Sequence, residues 1–461
     1  MPATPRTPYA VLPPLPCAPM HCPADDSTTL PLRCPAPAPR GRAPWRGCLA
    51  GIALMAHAAF AVPAHAGADG VSVLHWWVSG GERASMDAIR DFTTGRGIAW
   101  SEFSTPGSGT ARYTDVLAAR VRAGRIPTAA QMIGYDIHAW ARRGLLDDLD
   151  DIAAREEWDE VVPDEIQRLS KWQGRWVAAP FNAHSTNWLW LNKHVADRLG
   201  ITRPPDTWAD LIALLDRARA AGVPPIAIGH EAWEHTLLFE SVAAGVGGAA
   251  FYRRAFVDLD PSALTDAVAT TIFDRMRQLS GYLEPGYMQR RWDEATDRVA
   301  RGRALLQVQG FWVDGELRVR GLYAGVDYQC WRFPDTQGMV LFNSDQFIFF
   351  RRPAGERAAQ LRFASALMDR ELQTSVNLRT GAAPARVDVR KALFNTCGRQ
   401  AIAELRGANM RRTLLGSIGM GNAHPSSVKI AIYEVVTRHL QRRIDTPAAV
   451  AALRQAITPH R

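Results

Sequence analysis

Short apolar runs of β-forming residues alternate with amphipathic helical stretches from residue 71 onward. Val71 to Trp77 predicts a strand, and Glu82 to Thr94 predicts a helix because its apolar residues recur near helical spacing. Alternation of this kind is typical of an α/β fold in which helices cover a parallel sheet. Ligands of such sheets bind beyond the carboxyl ends of the strands, where Trp76, Trp77 and Glu82 would lie.

The alternation continues along the chain. Tyr113 to Ala123 predicts a second helix, and Ala129 to Tyr135 predicts a strand. Two extended runs, over 175–184 and 187–193, would suit a strand that crosses from one lobe to another. A second crossing is predicted near 326–333.

The N-terminal region contains an export signal. Arginines between 40 and 46 precede an apolar run over 47–62, and Ala-His-Ala at 64–66 is a small-x-small cleavage pattern. We therefore expect a processed protein that begins near Gly67 and works outside the cytoplasm. A membrane-spanning helix needs a run of about 18 apolar residues, and the sequence after the export signal has no such run.

Residues 1–39 are Pro-rich and do not resemble a signal sequence. They are either an over-long gene start, which we prefer, or a genuine extension, and we assign 1–66 to the leader. The processed chain of about 395 residues is too long for one ordinary core, which predicts two domains.

Charge and composition argue against a nucleic-acid partner. The formal net charge is +8, with 54 basic and 46 acidic residues, and it falls to about +5 without the leader. Only four of the basic residues are lysines, and no dense basic run is interleaved with aromatics. We expect no nucleic acid to bind.

Cys330 and Cys397 are the two cysteines of the processed chain. In an oxidising compartment an isolated pair is typical of a disulfide, and the alternative is two buried thiols. No Cys-x-x-Cys is present and the histidines are scattered, with His230 and His235 five residues apart. We therefore expect no metal and no other cofactor.

Several motifs follow one another in a fixed order. They are HWWVSGGE from 75, AGRIPTAAQMIGYDIHAWARRGLLDDL from 123, GRWVAAPFNAHSTNWLWLNK from 174, PPDTWADL from 204, and WDEAT from 292 followed by GRALLQVQGFW. In this succession the chain resembles the extracellular solute-binding proteins of ATP-driven sugar importers, and most closely the glucose- and mannose-type subgroup. The resemblance covers nearly all of 70–445.

The resemblance implies a two-lobed periplasmic binding protein fold of the type II kind, with a ligand cleft between α/β lobes joined by crossing strands. The expected N-terminal lobe comprises 67–183 and 334–390, and the expected C-terminal lobe comprises 184–333 and 391–461. Cys330 and Cys397 stand where the subgroup carries a disulfide.

A sugar site needs flat aromatics for the C–H faces and polar groups for the hydroxyls. Trp76 and Trp77 are adjacent, so we expect one in the cleft and one in the core. Glu82 can accept hydroxyl protons from the start of its helix. The resemblance places a stacking aromatic at Trp312, with a core tryptophan as the alternative.

Four further residues are candidates for ligand binding, and for each of them a structural role is an equally good alternative. They are Gln131, Trp233, Asn343 and Asp345. We assign Trp208 and Trp292 to packing, because both occur in contexts typical of helix-start anchors.

The chain departs from the glucose-type pattern at several polar positions. Phe311 replaces an aspartate, Ala118 and Thr380 replace lysines, and Met420 replaces a histidine unless the nearby His424 takes its place. A charged hydrogen bond contributes about 1.5 to 3 kcal/mol, so these replacements argue against assigning glucose. Arg379 could supply one replacement charge.

The favoured function is a periplasmic receptor that acts as a monomer, closes its lobes on a mono- or oligosaccharide and delivers it to an ABC permease in the inner membrane. One alternative is a sensor of the same fold that serves a membrane signalling protein. The other is a secreted carbohydrate-active enzyme, with Glu82 and Asp345 as a carboxylate pair. No enzymatic motif accompanies that pair, so we expect a protein that is not an enzyme.

Overall fold

The computed structural model describes residues 70–106 and 111–458. The predicted leader and the Gly67 start lie outside these residues. None of the helices in this part of the chain is long and apolar enough to cross a membrane.

Strands and helices alternate in the described residues, as the sequence predicts. The strands are β1 (Gly70–His75), β2 (Ala99–Ser104), β3 (Ala129–Ile133), β4 (Lys171–Trp172), β5 (Arg175–Trp176), β6 (Ala178–Pro180), β7 (His184–Ser185), β8 (Trp188–Asn192), β9 (Leu306–Val308), β10 (Tyr328–Arg332), β11 (Val340–Asn343), β12 (Asp345–Phe349) and β13 (Leu414–Gly416).

The helices that flank these strands are mostly amphipathic. They are α1 (Gly80–Thr94), α2 (Ala111–Arg122), α3 (Tyr135–Ala141), α4 (Asp150–Arg155), α5 (Trp158–Val161), α6 (Asp164–Ser170), α7 (Lys193–Arg198), α8 (Trp208–Ala220), α9 (Ala232–Tyr252), α10 (Asp266–Ser280), α11 (Trp292–Ala300), α12 (Trp312–Val319), α13 (Ala354–Leu367), α14 (Arg370–Thr380), α15 (Thr396–Arg411), α16 (Ser426–Leu440) and α17 (Thr446–Ile457). Short 3₁₀ or π turns lie at Arg253–Val257, Pro261–Ala263, Tyr287–Gln289 and Lys391–Leu393.

A five-stranded sheet has the order β2-β1-β3-β12-β6. Strand β1 runs parallel to β2 and β3, which confirms the predicted parallel α/β arrangement. Strand β12 comes from much later in the chain and pairs antiparallel with β3 and β6. Its insertion brings the start of β12 beside the end of β3, so residues far apart in sequence meet at one edge.

Two large apolar cores are present. The first surrounds the five-stranded sheet, and the second lies among β8, β9, α8 to α10, α16 and α17. The three-stranded sheet β13-β11-β7 lies between them. On β11, Val340 and Phe342 belong to the first core and Leu341 to the second. Because successive strand residues point to opposite faces, this sheet joins both cores.

The second predicted crossing, near 326–333, contains β10 (Tyr328–Arg332), which pairs antiparallel with β8 in a separate three-stranded sheet. Strand β11 follows it and contributes residues to both cores. The second crossing and the boundaries of the two lobes stay predictions.

Thr207 caps the amino end of α8, because its side chain accepts the backbone N–H of Asp210. The predicted cysteine pair is confirmed, because Cys330 on β10 is bonded to Cys397 on α15.

Glu240 on α9 is fully buried beside two segments that follow strands of the β13-β11-β7 sheet. Its carboxylate accepts hydrogen bonds from Thr186 Oγ1 (2.6 Å), Ser417 Oγ (2.8 Å) and Gly419 N (2.9 Å). These groups follow β7 and β13, so Glu240 ties together the segments between the two cores. Desolvation raises the pKa of Glu240 to about 7.

Glu240→Gln is expected to flatten the pH dependence of stability. The unfolded carboxyl ionises near its ordinary pKa of 4.5, whereas the folded one keeps its proton up to about 7. The unfolded state therefore binds fewer protons between these values, and stability falls by about 1.4 kcal/mol per pH unit for this group. The free energy of unfolding, measured with denaturant at pH 5 and 6.5, should fall less between these pH values in Glu240→Gln than in the wild type. The exposed Glu434→Gln is the control. An equal fall in the wild type and both variants would contradict the assignment.

Candidate ligand-binding cavity

A cavity opens beyond the carboxyl end of β1, between the two cores. Its walls come from residues at or close to the ends of strands and helices, namely Trp76, Trp77, Gly81, Glu82, His184, Trp233, Trp292, Trp312, Asn343, Asp345, Thr380 and Met420. The space that can hold the centre of a water molecule is about 40 Å³, enough for a few waters.

Five tryptophans form the apolar wall. The rings of Trp233 and Trp312 meet edge to face at 5.9 Å, and Trp312 meets His184 in the same way at 5.2 Å. This surface is suited to the C–H face of a sugar.

Trp76 and Trp77 both line the cavity and are both buried in the first core. Strand β1 ends at His75, and the strict alternation of a strand no longer applies after it. Which of the two rings contacts a ligand stays a prediction. Trp292 is buried in the first core, in keeping with its predicted packing role, and as the first residue of α11 it also lines the wall.

Glu82 lies in the first turn of α1. Its Oε2 accepts the backbone N–H groups of Val78 (3.1 Å) and Ser79 (3.0 Å). Although the residue is partly exposed, desolvation outweighs these bonds and raises the pKa of Glu82 to about 7. Near neutral pH the carboxyl can therefore donate as well as accept.

Helices α1 and α12 touch closely, which brings Glu82 and Trp312 to the same cavity. A Cβ on Gly81 would lie 2.7 Å from the backbone carbon of Gly315, so only glycine fits there. Glu316 Oε1 accepts the backbone N–H of Gly81 at 2.7 Å. This carboxylate ties α12 to the amino end of α1.

Asp345 is held rigidly at the start of β12. It accepts hydrogen bonds from Gln131 Nε2 and Asn182 Nδ2, both at 3.0 Å, and lies 3.3 Å from His184 Nε2. Gln131 is fully buried and does not line the cavity. Its place is behind the wall, where it positions Asp345 and contacts the backbone of Trp76.

Some polar atoms at the cavity have no partner among the described residues. They are Trp312 Nε1 and His184 Nδ1. The Nε1–H of Trp233 lies near the Glu231 carboxylate without a hydrogen bond of normal geometry. Buried polar groups without partners are costly, so these atoms are suited to ligand oxygens. His184 had no separate signal in the sequence beyond its place after a strand.

Residues 102–341 match the family model described as bacterial extracellular solute-binding protein. The chain belongs to this family. Since it is a family of binding proteins, it confirms the prediction that the chain is not an enzyme.

Two curated relatives resemble almost the whole solute-binding chain. A "probable sugar-binding periplasmic protein" of Rhizobium meliloti (strain 1021) is 43% identical over 390 residues, which cover 85% of this chain and 94% of that protein. A Brucella suis biovar 1 (strain 1330) protein with the same description is 42% identical over 387 residues, covering 84% and 91%.

Solved structures confirm the two-lobed solute-binding fold. The bacterial solute receptor AcbH superimposes with a TM-score of 0.71 at 18% identity, covering 84% of this chain and 97% of that one. A chitin oligosaccharide binding protein gives a TM-score of 0.69 at 18% identity, covering 84% and 98%. At this identity the likeness concerns the fold.

The replaced polar positions divide into two groups in this solute-binding protein. Thr380 and Met420 line the cavity. Phe311 is fully buried between Trp188 and Trp190, and Ala118 packs against the first core. His424 does not line the cavity, and burial lowers its pKa to about 4.

Asn343 lines the cavity, and its Oδ1 accepts a hydrogen bond from Asn422 Nδ2 at 2.9 Å. Arg379 does not line it. The guanidinium is exposed and donates to the carbonyl and hydroxyl of Ser375. The ligand-binding role predicted for Arg379 gains no support from these contacts and stays a prediction. Among the described residues, no group of three or more His, Cys, Asp or Glu side chains could hold a metal ion.

Arg379→Ala should leave ligand affinity within about twofold of wild type, because surface substitutions change free energies by about 0.5 kcal/mol or less. Titration calorimetry with a ligand identified by screening measures this. Thr380→Ala, one residue along in the cavity wall, is the comparison. A large loss in Arg379→Ala would show that its side chain reaches the ligand.

Proposed function

We propose that this protein is the periplasmic sugar-binding component of an ATP-driven importer. It captures a sugar in the tryptophan-lined cavity and delivers it to a permease in the inner membrane. The observation that carries the proposal is the wall itself, in which five tryptophans stand beside two anchored carboxyls and two unpartnered polar atoms. The names of the curated relatives support the sugar and the compartment.

Lobe closure is the proposed binding mechanism. The lobes comprise 67–183 with 334–390, and 184–333 with 391–461, and the protein acts as a monomer. The cavity lies between the two cores, so a ligand enters it when the walls separate. A ligand that contacts both lobes then favours the closed arrangement.

Within the family, the proposed placement is near the glucose- and mannose-type subgroup. The bonded pair Cys330–Cys397 supports this placement. The cavity wall differs at Thr380 and Met420, which cannot make the charged hydrogen bonds of a lysine and a histidine. Free glucose is therefore not the assigned ligand.

A thermal-shift screen tests the proposal. The full chain, expressed with its own leader and purified after export, is heated with a panel of mono- and oligosaccharides, including amino and acidic sugars. A ligand at 100 times its Kd stabilises the folded state by about 2.7 kcal/mol, which raises the melting temperature measurably. A cooperative melt that no sugar shifts would contradict the proposal.

A further inference from the structure

A second, larger chamber adjoins the tryptophan cavity. Trp233 and Met420 belong to the walls of both. The space that can hold the centre of a water molecule is about 510 Å³ in this chamber, more than ten times that of the cavity. A ligand that lies against the tryptophans can therefore extend into the chamber.

The chamber wall carries more acidic than basic groups. Its ionisable side chains are Asp115, Asp136, His230, Glu231, Lys429 and Tyr433. Asp136 is already engaged, because it accepts from Ser426 and lies 3.4 Å from Lys429 Nζ. Asp115 is exposed on α2 and has no ion pair within the described residues. With Lys429 paired, Asp115 and Glu231 leave an excess of negative charge.

The adjoining cavity adds to this excess through the Asp345 carboxylate. Glu82, whose pKa is raised to about 7, carries only part of a negative charge near neutral pH, and neither lysine nor arginine is among the described lining residues. Carboxylates in a concave, partly desolvated site attract cations and repel anions, since the effective dielectric constant is lower there than in water. An acidic sugar is thus poorly suited to this pair of spaces.

The junction of the two spaces has its own unsatisfied group. Trp233 is 5% exposed and its Nε1–H has no hydrogen-bond partner among the described residues, although the Glu231 carboxylate lies close to it. A ligand hydroxyl placed between them would accept from the indole N–H and donate to the carboxylate, whereas an ammonium group would donate to Glu231 alone. The junction therefore needs a polar ligand atom as well as an apolar ring.

We infer that the ligand is a glycoside carrying a free, protonated amino group, with a sugar ring against the tryptophans and the ammonium group in the acidic chamber. The inference rests on the proposed function and names the substrate class of the same site. Asp115 and Glu231 supply the counter-charge, while the Asp136–Lys429 pair shapes the wall.

Three matched disaccharides test the charge requirement. The β-1,4-linked dimer of glucosamine carries ammonium groups, its di-N-acetylated form has the same skeleton without charge, and cellobiose has hydroxyls instead. Calorimetry at low salt should give at least about tenfold tighter binding for the glucosamine dimer, and the preference should shrink at high salt. Equal or tighter binding of either neutral dimer overturns the inference and leaves the sugar-binding function intact.

Asp115→Asn assigns the effect to the chamber. We expect about fivefold to tenfold weaker binding of the glucosamine dimer and a change of less than about twofold for neutral sugars. Asp151→Asn, the same change at an exposed position on α4, should alter neither. Unchanged glucosamine-dimer binding in Asp115→Asn overturns the assignment. If the folded protein binds no sugar of any kind, the proposed function and this inference fail together.

Discussion

Replacing Trp312 by alanine is expected to weaken sugar binding by about 2 to 4 kcal/mol, which is typical of a central aromatic contact. The indole lines the cavity, meets Trp233 and His184 edge to face, and keeps an unpartnered Nε1–H. Its ring also lies over Gly310, where a Cβ would come within 2.3 Å of it. The loss therefore combines stacking area with one hydrogen bond.

Calorimetry on the ligand identified by screening measures the loss, and the melting temperature of the ligand-free protein shows whether the fold is affected. Trp208→Ala is the matched control, because Trp208 is likewise the first residue of a helix and partly buried, but packs outside the cavity. Trp208→Ala should leave affinity unchanged. Strong destabilisation by Trp312→Ala with unchanged affinity would reassign the ring to the core.

The fold could be predicted where its signals are local. The β1–α1 unit follows from hydrophobic periodicity, and the structure differs only at the ends, since β1 covers Gly70–His75. Strand β12 pairs with β3 more than 200 residues earlier, and nothing local marks such a partner. Strand β2 was missed because its residues are half-exposed and carry no apolar run.

The site could be predicted where candidates lie at either end of a strand or at the start of a helix. Trp76, Trp77, Glu82, Trp233, Trp312, Asn343 and Asp345 all line the cavity. Gln131 is predicted to contact the ligand, whereas in the structure it lies behind the wall and donates a hydrogen bond to Asp345. That distinction depends on contacts across the sheet, which the sequence of either strand does not show.

Arg379 shows that sequence alone does not identify which residues of a helix face the cavity. Successive residues of an α-helix are rotated by about 100°, so Thr380 lines the cavity while Arg379 points to solvent. The motif around 377–381 could be aligned, but only the structure shows which side of α14 faces the ligand. Trp292 shows the converse, because a packing role in the first core and a place in the cavity wall coincide at the start of α11.

Removing the disulfide is expected to lower the free energy of unfolding by about 4 kcal/mol. Cys330 and Cys397 are 67 residues apart, and in the chain-entropy model a cross-link over such a loop stabilises by roughly this amount. The loop contains β11, β12, α13 and α14, so the bond restricts a large part of the unfolded chain. Guanidinium unfolding of Cys330→Ala/Cys397→Ala against wild type measures the difference.

Reduction provides the internal control. Dithiothreitol should destabilise the wild-type protein by a similar amount and leave the double variant unchanged, because the variant has no bond at these positions to reduce. Ligand affinity should change little in the variant, since neither cysteine lines the cavity. A loss of unfolding free energy below about 1 kcal/mol would contradict this prediction and show that the bond contributes little. Packing would then hold β10 against α15, because both cysteines are buried in one core with Trp188, Trp190 and Phe311.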